Sequence, residues 1–312
     1  MQSGKQFVFV VGVPRSGTTW LFNMLAEHAD ICSLDGANTL FQHYIFRMEQ
    51  MYESEEVGLK NKGFNRGMPS KFTPEEFHGL LSEYVNIFYQ QLPANQPFYV
   101  EKATDLLSEA ANILRFIPQA KFIHIVRDGR DSALSDMKYR KKYGAPLGIE
   151  NIYEAALRWK DDTSAFMRQM NLHPKQMLEI KYEDLLVDTV PKMQQVFEFI
   201  GCDSSSEITE RIAKKFDYRS NPVSKPTSGV ADKQGKPLHP YLTEMSKTEQ
   251  AVFEYLTGNT LSKYGYQTSN LMSSVSFSFY IKWFCVSRYF AVKSGKPLRF
   301  WLSALRRKLA TS

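Results

Sequence analysis

Residues 7–11 (Phe-Val-Phe-Val-Val) break at Gly12 into Gly12-Val13-Pro14-Arg15-Ser16-Gly17-Thr18-Thr19-Trp20, and this segment constrains the chain more than any other. An apolar, β-branched run of that length suits a strand buried on both faces. A helical pattern follows over residues 18–28, with Leu21, Met24 and Leu25 on one side. Between the two, the spacing is G-x-x-x-x-G-x-[ST], that of a phosphate-binding loop. Its backbone N–H groups and the positive helix N-terminus cradle phosphate oxygens. The ATP-binding version places a lysine beside the last Ser/Thr, where it reaches the β- and γ-phosphates. Here Thr18 stands at that position, and the cation is Arg15 inside the loop. The segment reads as a site for an anion on an adenosine phosphate, without the lysine of Mg-ATP hydrolysis. A tight Gly-Ser turn entering a helix is the plain alternative.

Residues 98–101, 121–126 and 177–181 read as further strands. Helical spacing covers residues 106–117, 131–143, 152–170, 190–200, 206–214 and 247–262, and residues 36–97 read as mostly helical around a basic loop at 60–71. Strands alternating with helices argue an α/β fold: a P-loop-type parallel sheet flanked by helices, with right-handed crossovers. His124, between Ile123 and Ile125, reads as a core histidine. Residues 217–242, rich in Pro, Gly, Ser and Lys, read as a long loop. The expected organisation is one domain over residues 1–270 and a basic, helical extension over 271–312.

Charge supports that division. Of 312 residues, 43% are hydrophobic and 23% charged, which is globular composition, with a net charge of +6. The extension holds eight cations (Lys282, Arg288, Lys293, Lys296, Arg299, Arg306, Arg307, Lys308) and no acid. The preceding residues carry 31 basic against 33 acidic groups, so a general nucleic-acid surface is not implied. The extension also holds nine aromatics, and Phe277, Tyr280, Phe284, then Leu298, Trp301, Leu302 and Leu305, recur at helical steps. Two readings stand: packing on the core or a second subunit, or peripheral docking at an anionic membrane face. Three cysteines make no disulfide framework and no C-x-x-C pair. With no leader pattern and no 18-residue uncharged apolar stretch, a cytoplasmic location is expected, membrane-associated at the inner face under the second reading.

Pro14-Arg15-Ser16-Gly17-Thr18-Thr19-Trp20 closely resembles the 5′-phosphosulfate loop of sulfotransferases that use PAPS (3′-phosphoadenosine 5′-phosphosulfate). A second stretch, Arg127-Asp128-Gly129-Arg130-Asp131-Ser132-Ala133-Leu134-Ser135, follows the strand at 121–126. In that family an Arg at a strand end and a Ser eight residues later hold the 3′-phosphate, and Arg127 and Ser135 match this spacing. A third, Ile180-Lys181-Tyr182-Glu183-Asp184-Leu185, resembles the family's Tyr-Glu-Asp-Leu segment. The resemblance implies sulfuryl transfer from PAPS to an acceptor hydroxyl or amine, with no metal. Arg15, Ser16, Gly17, Thr18 and Thr19 would hold the phosphosulfate, while Trp20 and Tyr182 would flank adenine. Plainer roles are a salt bridge for Arg127 with Asp128 or Asp131, a surface hydroxyl for Ser135 and a core position for Trp20. The competing functions are a P-loop kinase using Mg-ATP and a nucleotide-binding protein without catalysis.

The strand at 98–101 delivers Glu101 and Lys102 to the C-terminal sheet edge, where ligands of open α/β sheets bind. Val-Glu-Lys resembles the glycosaminoglycan-type enzymes, in which the Glu is the base, although Ala103 and Thr104 depart from their pattern. Cytosolic aryl enzymes carry a His two residues after the matching Lys. Thr104 takes that place here, so the chain resembles the Golgi and bacterial glycan type more than the aryl type. Tyrosylprotein-type enzymes carry their base about twenty residues beyond the loop Arg, and the nearest acid there is Asp35, next to Gly36. Glu101 is the leading base and Asp35 its rival. Lys102 either helps hold the phosphosulfate or forms a solvated pair with Glu101. A small-molecule, glycan or lipid-linked acceptor fits these motifs. Lys60, Lys62, Arg66 and Lys71 form either an anionic-acceptor surface or a solvated loop. Lys225, Lys233 and Lys236 lie where the family places a nucleotide-covering loop.

Overall fold

The computed structural model describes residues 5–37, 40–63, 67–92, 95–144, 149, 151–216 and 238–269. The expected helices of the extension, and Lys225, Lys233, Lys236 and Arg66, lie outside the described residues. Among the described residues there are five strands: β1 (Gln6–Val11), β2 (Ile31–Ala37), β3 (Phe98–Lys102), β4 (Lys121–Val126) and β5 (Met177–Lys181). The helices in chain order are α1 (Thr18–Leu25), α2 (Phe46–Lys62), α3 (Pro74–Gln90), α4 (Ala110–Phe116), α5 (Gly129–Tyr143), α6 (Ile152–Leu172), α7 (Tyr182–Val187), α8 (Thr189–Ile200), α9 (Ser206–Lys215), α10 (Tyr241–Glu244) and α11 (Lys247–Lys263). The chain crosses between two compact units after Val126, after Ser164 and after Gly235.

The first unit contains the whole sheet, in the order β2-β3-β1-β4-β5, and every pairing is parallel. Strand alternation sorts its side chains. Val8, Val10, Val100, Ile123, Ile125 and Ile180 join Leu21, Met24 and Leu25 of α1 and Val196 and Phe197 of α8 in one core. On the other face Phe9 stacks on Phe122 at 5.2 Å, and Phe7 meets Tyr99 at 5.4 Å and Tyr89 of α3 at 4.5 Å. Burial on both faces is why β1 reads as an unbroken apolar run. Each such side chain contributes ~1.5–3 kcal/mol, enough to offset ordering its stretch of backbone. The α/β class and flanked parallel sheet are as expected. His124 is fully buried, with Nδ1 2.9 Å from Glu179 Oε2 and its ring 4.5 Å from Phe166.

Three local readings are corrected. Residues 31–37 form a strand that periodicity did not reveal. Their sequence, Ile-Cys-Ser-Leu-Asp-Gly-Ala, has no alternation of apolar and polar residues; β2 is an edge strand defined by its pairing with β3. Lys60 and Lys62 lie in the last turns of α2, not in a loop, and Lys60 pairs with Glu56 at 2.7 Å. The expected helix over 106–117 is split into a 3₁₀ turn at Thr104–Leu106 and α4.

The second unit is organised by a buried arginine. Arg130, near the start of α5, gives Nε and Nη2 to Asp128 at 3.0 and 2.7 Å and Nη1 to Glu254 of α11 at 2.6 Å. Its guanidinium lies 4.0 Å from the centre of the Tyr241 ring. Removing one member of such a buried network typically costs ~3–5 kcal/mol, because a charge is left without its partner. Gly129 is required beside it. A Cβ there would come within 2.5 Å of both Phe253 and Trp159.

Asp131 is anchored in the same place, accepting from the Tyr241 N–H at 2.9 Å and lying 3.2 Å from His239 Nδ1. Burial, opposed by the nearby charge of Arg127 and by these hydrogen bonds, pushes its carboxyl up from 3.8 to about 6. A raised acid binds its proton more tightly in the folded state, so this group's contribution to stability falls as pH rises from about 4 to about 6. The full penalty is on the order of 3 kcal/mol. Asp131→Asn is therefore expected to gain stability relative to the parent chain across that interval. Denaturant unfolding at a series of pH values measures the difference, and a difference that does not change with pH would refute the assignment.

Candidate active site

The loop after β1 is built for close approach. Arg15 has a φ of 72° and Gly17 a φ of 108°, both in the left-handed region. A bulky residue held there is strained, and such strain concentrates at ligand-binding turns. The turn is closed by the Ser16 N–H donating to the Val13 carbonyl at 3.0 Å. A Cβ on Gly12 would meet Ser16 Oγ at 2.6 Å and the Ile125 carbonyl at 2.7 Å; one on Gly17 would meet the Tyr182 ring at 2.6 Å. Only glycine fits at either position. Ser16 is buried, and its Oγ has no hydrogen-bond partner among the described residues. No side chain caps the N-terminus of α1. The loop thus combines a cradle of small residues, an orphaned hydroxyl and open helix N–H groups, which together fit a phosphate or sulfate group.

Sheet register brings a second cation to this loop. Val10 of β1 pairs with Lys102 of β3, and the Ala103 N–H donates to the Val10 carbonyl at 2.9 Å. Lys102 Nζ then lies 3.4 Å from Thr19 Oγ1, and burial lowers its pKa below that of an ordinary lysine. A neighbouring strand therefore supplies an ammonium to a loop whose own sequence has none. Glu101 alternates to the opposite face, the one that carries Tyr99, and is buried at 3% exposure. The adjacent pair Glu101-Lys102 is thus separated by the sheet and does not form a solvated pair on one surface.

Both candidate bases lie at the same sheet edge. Leu34 of β2 pairs with Glu101 and Ala37 with Lys102, and the register shifts between them, where Asp35 and Gly36 sit. Sequence reasoning did not foresee this, because it had no strand at 31–37. Irregular pairing of this kind often occurs beside active sites.

Trp20 and Tyr182 pack edge to face at 5.8 Å, and both belong to the core beneath the loop, with 5% and 3% of their surface exposed. The Trp20 indole N–H donates to the Phe216 carbonyl at 3.3 Å. In this arrangement the Tyr182 ring lies directly against Gly17, and Trp20 packs on Tyr182. Thr18 is buried, while Thr19 and Arg15 are half-buried.

In the second unit, Arg127 directly follows β4 and is largely buried, at 8% exposure. Its carbonyl accepts from the Trp159 indole at 3.1 Å, which fixes its backbone. Asp128 is engaged by Arg130, and Asp131 by Tyr241 and His239, with the charge of Arg127 close to Asp131. Ser135 is half-buried on α5. Ser132, one turn earlier, is buried with an unpartnered Oγ among the described residues. The motif contained this serine, but spacing alone did not single it out.

Comparison with known proteins decides the family. The sulfotransferase family model matches residues 7–206, most of the chain. The chain belongs to the sulfotransferase family. Protein-tyrosine sulfotransferase 1 of Danio rerio is 28% identical over 194 residues, covering 62% of this chain and 52% of that protein. Protein-tyrosine sulfotransferase A of Caenorhabditis elegans is 23% identical over 195 residues, covering 62% and 49%. The match thus spans about half the length of these relatives. A mouse sulfotransferase solved in complex with PAP shares the fold of this family member, with a TM-score of 0.54, 18% identity and coverage of 82% and 85%. These similarities bear out the expected family. Both relatives named above are protein-tyrosine sulfotransferases by name.

Proposed function

We propose that this chain transfers a sulfuryl group from PAPS to an acceptor hydroxyl. The observation that carries this reading is the Lys102 ammonium at Thr19, set into a loop that lacks the lysine of ATP-using enzymes. The mouse structure's bound PAP, the desulfated form of PAPS, supports the same donor. When bound, PAPS supplies an activated sulfuryl group. Arg15, Ser16, Thr18 and Thr19, with the amides at the start of α1, hold the charged 5′ end. Lys102 offsets the charge that builds on the oxygen of the breaking bond. Arg127 and Ser135, with Ser132 beside them in sequence, hold the 3′-phosphate, as the motif match indicates. Trp20 and Tyr182 keep the loop in its strained shape. Glu101 removes the acceptor proton, with Asp35 its rival as base. The protein-tyrosine sulfotransferase relatives favour a phenolic acceptor within a polypeptide, while the Val-Glu-Lys segment keeps a glycan acceptor in view.

Transfer of labelled sulfate from PAPS, run beside transfer of labelled phosphate from Mg-ATP, tests the reaction. Turnover with ATP alone would overturn it. Arg15→Ala is expected to weaken binding of the desulfated nucleotide roughly ten- to a hundredfold, the usual effect of losing a charge-assisted contact of ~1.5–3 kcal/mol. Calorimetry measures this directly, and parental affinity in the variant would remove Arg15 from the site.

A further inference from the structure

We propose that His239, held in place by Asp131, is a binding residue for the 3′-phosphate of the nucleotide, donating from Nδ1 to the carboxylate and from Nε2 to a phosphate oxygen. The proposal rests on the reading that the Arg127–Ser135 motif holds that phosphate. Arg127, Asp131, Ser132, Ser135, His239 and Tyr241 all belong to the second unit. On α5, Asp131 precedes Ser135 by four residues and Ser132 precedes it by three, so these three positions share one face of the helix. The motif thus carries an acid where it is to meet a phosphate dianion. Burial, opposed first by the charge of Arg127, pushes the Asp131 carboxyl up to about 6, which leaves it largely ionised above pH 7. An anion at this place weakens phosphate binding unless its charge is taken up.

Both carboxylate oxygens are engaged. Oδ1 accepts from the Tyr241 N–H at 2.9 Å, and Oδ2 lies 3.2 Å from His239 Nδ1. An ionised carboxylate only accepts, so Nδ1 carries the proton. The ring is further fixed by the Tyr241 ring, which it meets edge to face at 5.9 Å and which itself lies 4.0 Å from the Arg130 guanidinium. The Asp131 side chain is fully buried, whereas 32% of the His239 side chain is exposed, so the imidazole spans from the buried acid to a surface that a ligand can reach. His239 makes no other hydrogen bond among the described residues. A second proton, at Nε2, turns the ring into a charge-assisted donor with Asp131 on one side and the ligand on the other. A carboxylate that would repel the phosphate thereby becomes the support of a cation. A purely structural role, clamping residues 239–241 to α5, needs the Nδ1 contact alone and no charge at Nε2.

The test is calorimetry on the full chain and its variants at about pH 7.5, with PAP and with adenosine 5′-phosphate, which lacks only the 3′-phosphate. The parental chain is expected to bind PAP more tightly. His239→Ala should weaken PAP about tenfold, near the lower end of the range for a charge-assisted contact, and leave adenosine 5′-phosphate unchanged. Asp131→Asn keeps an acceptor for the Tyr241 N–H but removes the charge that holds the imidazolium. It should therefore also weaken PAP severalfold, and it should add nothing in the His239→Ala background. Simple removal of a repelling acid has the opposite sign, and tighter PAP binding by Asp131→Asn would overturn the proposal. Equal loss for both nucleotides in His239→Ala would make His239 a structural clamp, and parental affinity for PAP would remove it from the site; either result overturns the proposal. Equal binding of the two nucleotides by the parental chain would instead refute the 3′-phosphate reading itself, and the proposal with it.

Discussion

Replacing Lys102 with methionine is expected to lower turnover with PAPS by ~10²–10³-fold while the fold is retained, the usual effect of removing one donor aimed at developing charge. Methionine matches the length of the lysine stem, so the half-buried space beside Thr19 stays filled and the β3–β1 pairing is undisturbed. What disappears is the ammonium held by that pairing 3.4 Å from Thr19 Oγ1. Ground-state affinity should fall less than the rate, because Arg15 and the loop amides still hold the 5′ end. The pH profile gives an independent readout. Burial lowers the Lys102 pKa, so the active ammonium is lost at a lower pH than for an exposed lysine. The alkaline limb of the rate profile should lie correspondingly low and should vanish in Lys102→Met. Equal loss of affinity and rate, with the alkaline limb intact, would make Lys102 a packing residue only.

Sequence offered Lys102 as a residue that helps hold the phosphosulfate, but not its approach to Thr19. The loop itself was legible because its chemistry is local: glycines, hydroxyls and Arg15 lie within eight residues, and the strand before them carries its burial on both faces in its composition. Strands β1, β3, β4 and β5 were legible for the same reason. The approach of Lys102 to Thr19 depends on which strand lies beside β1, and register is a property of the assembled sheet. Edge strand β2 was invisible because its residues have no periodicity, and backbone pairing with β3 alone defines it. The position of Asp35 remained obscure for that reason. Packing likewise escaped sequence. A core position was one of the two readings weighed for Trp20, but its bond to the Phe216 carbonyl, which links residues 196 positions apart, was not legible. Asp131, His239 and Tyr241 show the same limit: a carboxyl shifted to about 6 is created by partners from a distant segment.

Glu101→Gln is expected to preserve nucleotide binding and lose ~10²–10⁴-fold in turnover, the range over which a positioned base accelerates proton transfer. The amide has nearly the volume of the carboxylate, so at 3% exposure it introduces no cavity and isolates the loss of the proton acceptor. Asp35→Asn supplies the contrast. Its strand pairs with β3 at Glu101 and shifts register just beyond. Alternation places Glu101 on the Tyr99 face and Lys102 on the face of α1. In the proposed reaction the ammonium would serve the phosphosulfate and the carboxylate the acceptor, on opposite faces of β3. On that division of labour, Asp35→Asn should keep most of the rate, and the acid limb of the pH profile should be absent from Glu101→Gln alone. Near-parental turnover in Glu101→Gln, with a collapse in Asp35→Asn, would move the base one strand outward to β2. It would also align the chain with the chemistry of its tyrosylprotein relatives. Binding of the desulfated nucleotide, measured in both variants, keeps the comparison one of proton transfer and excludes a damaged loop.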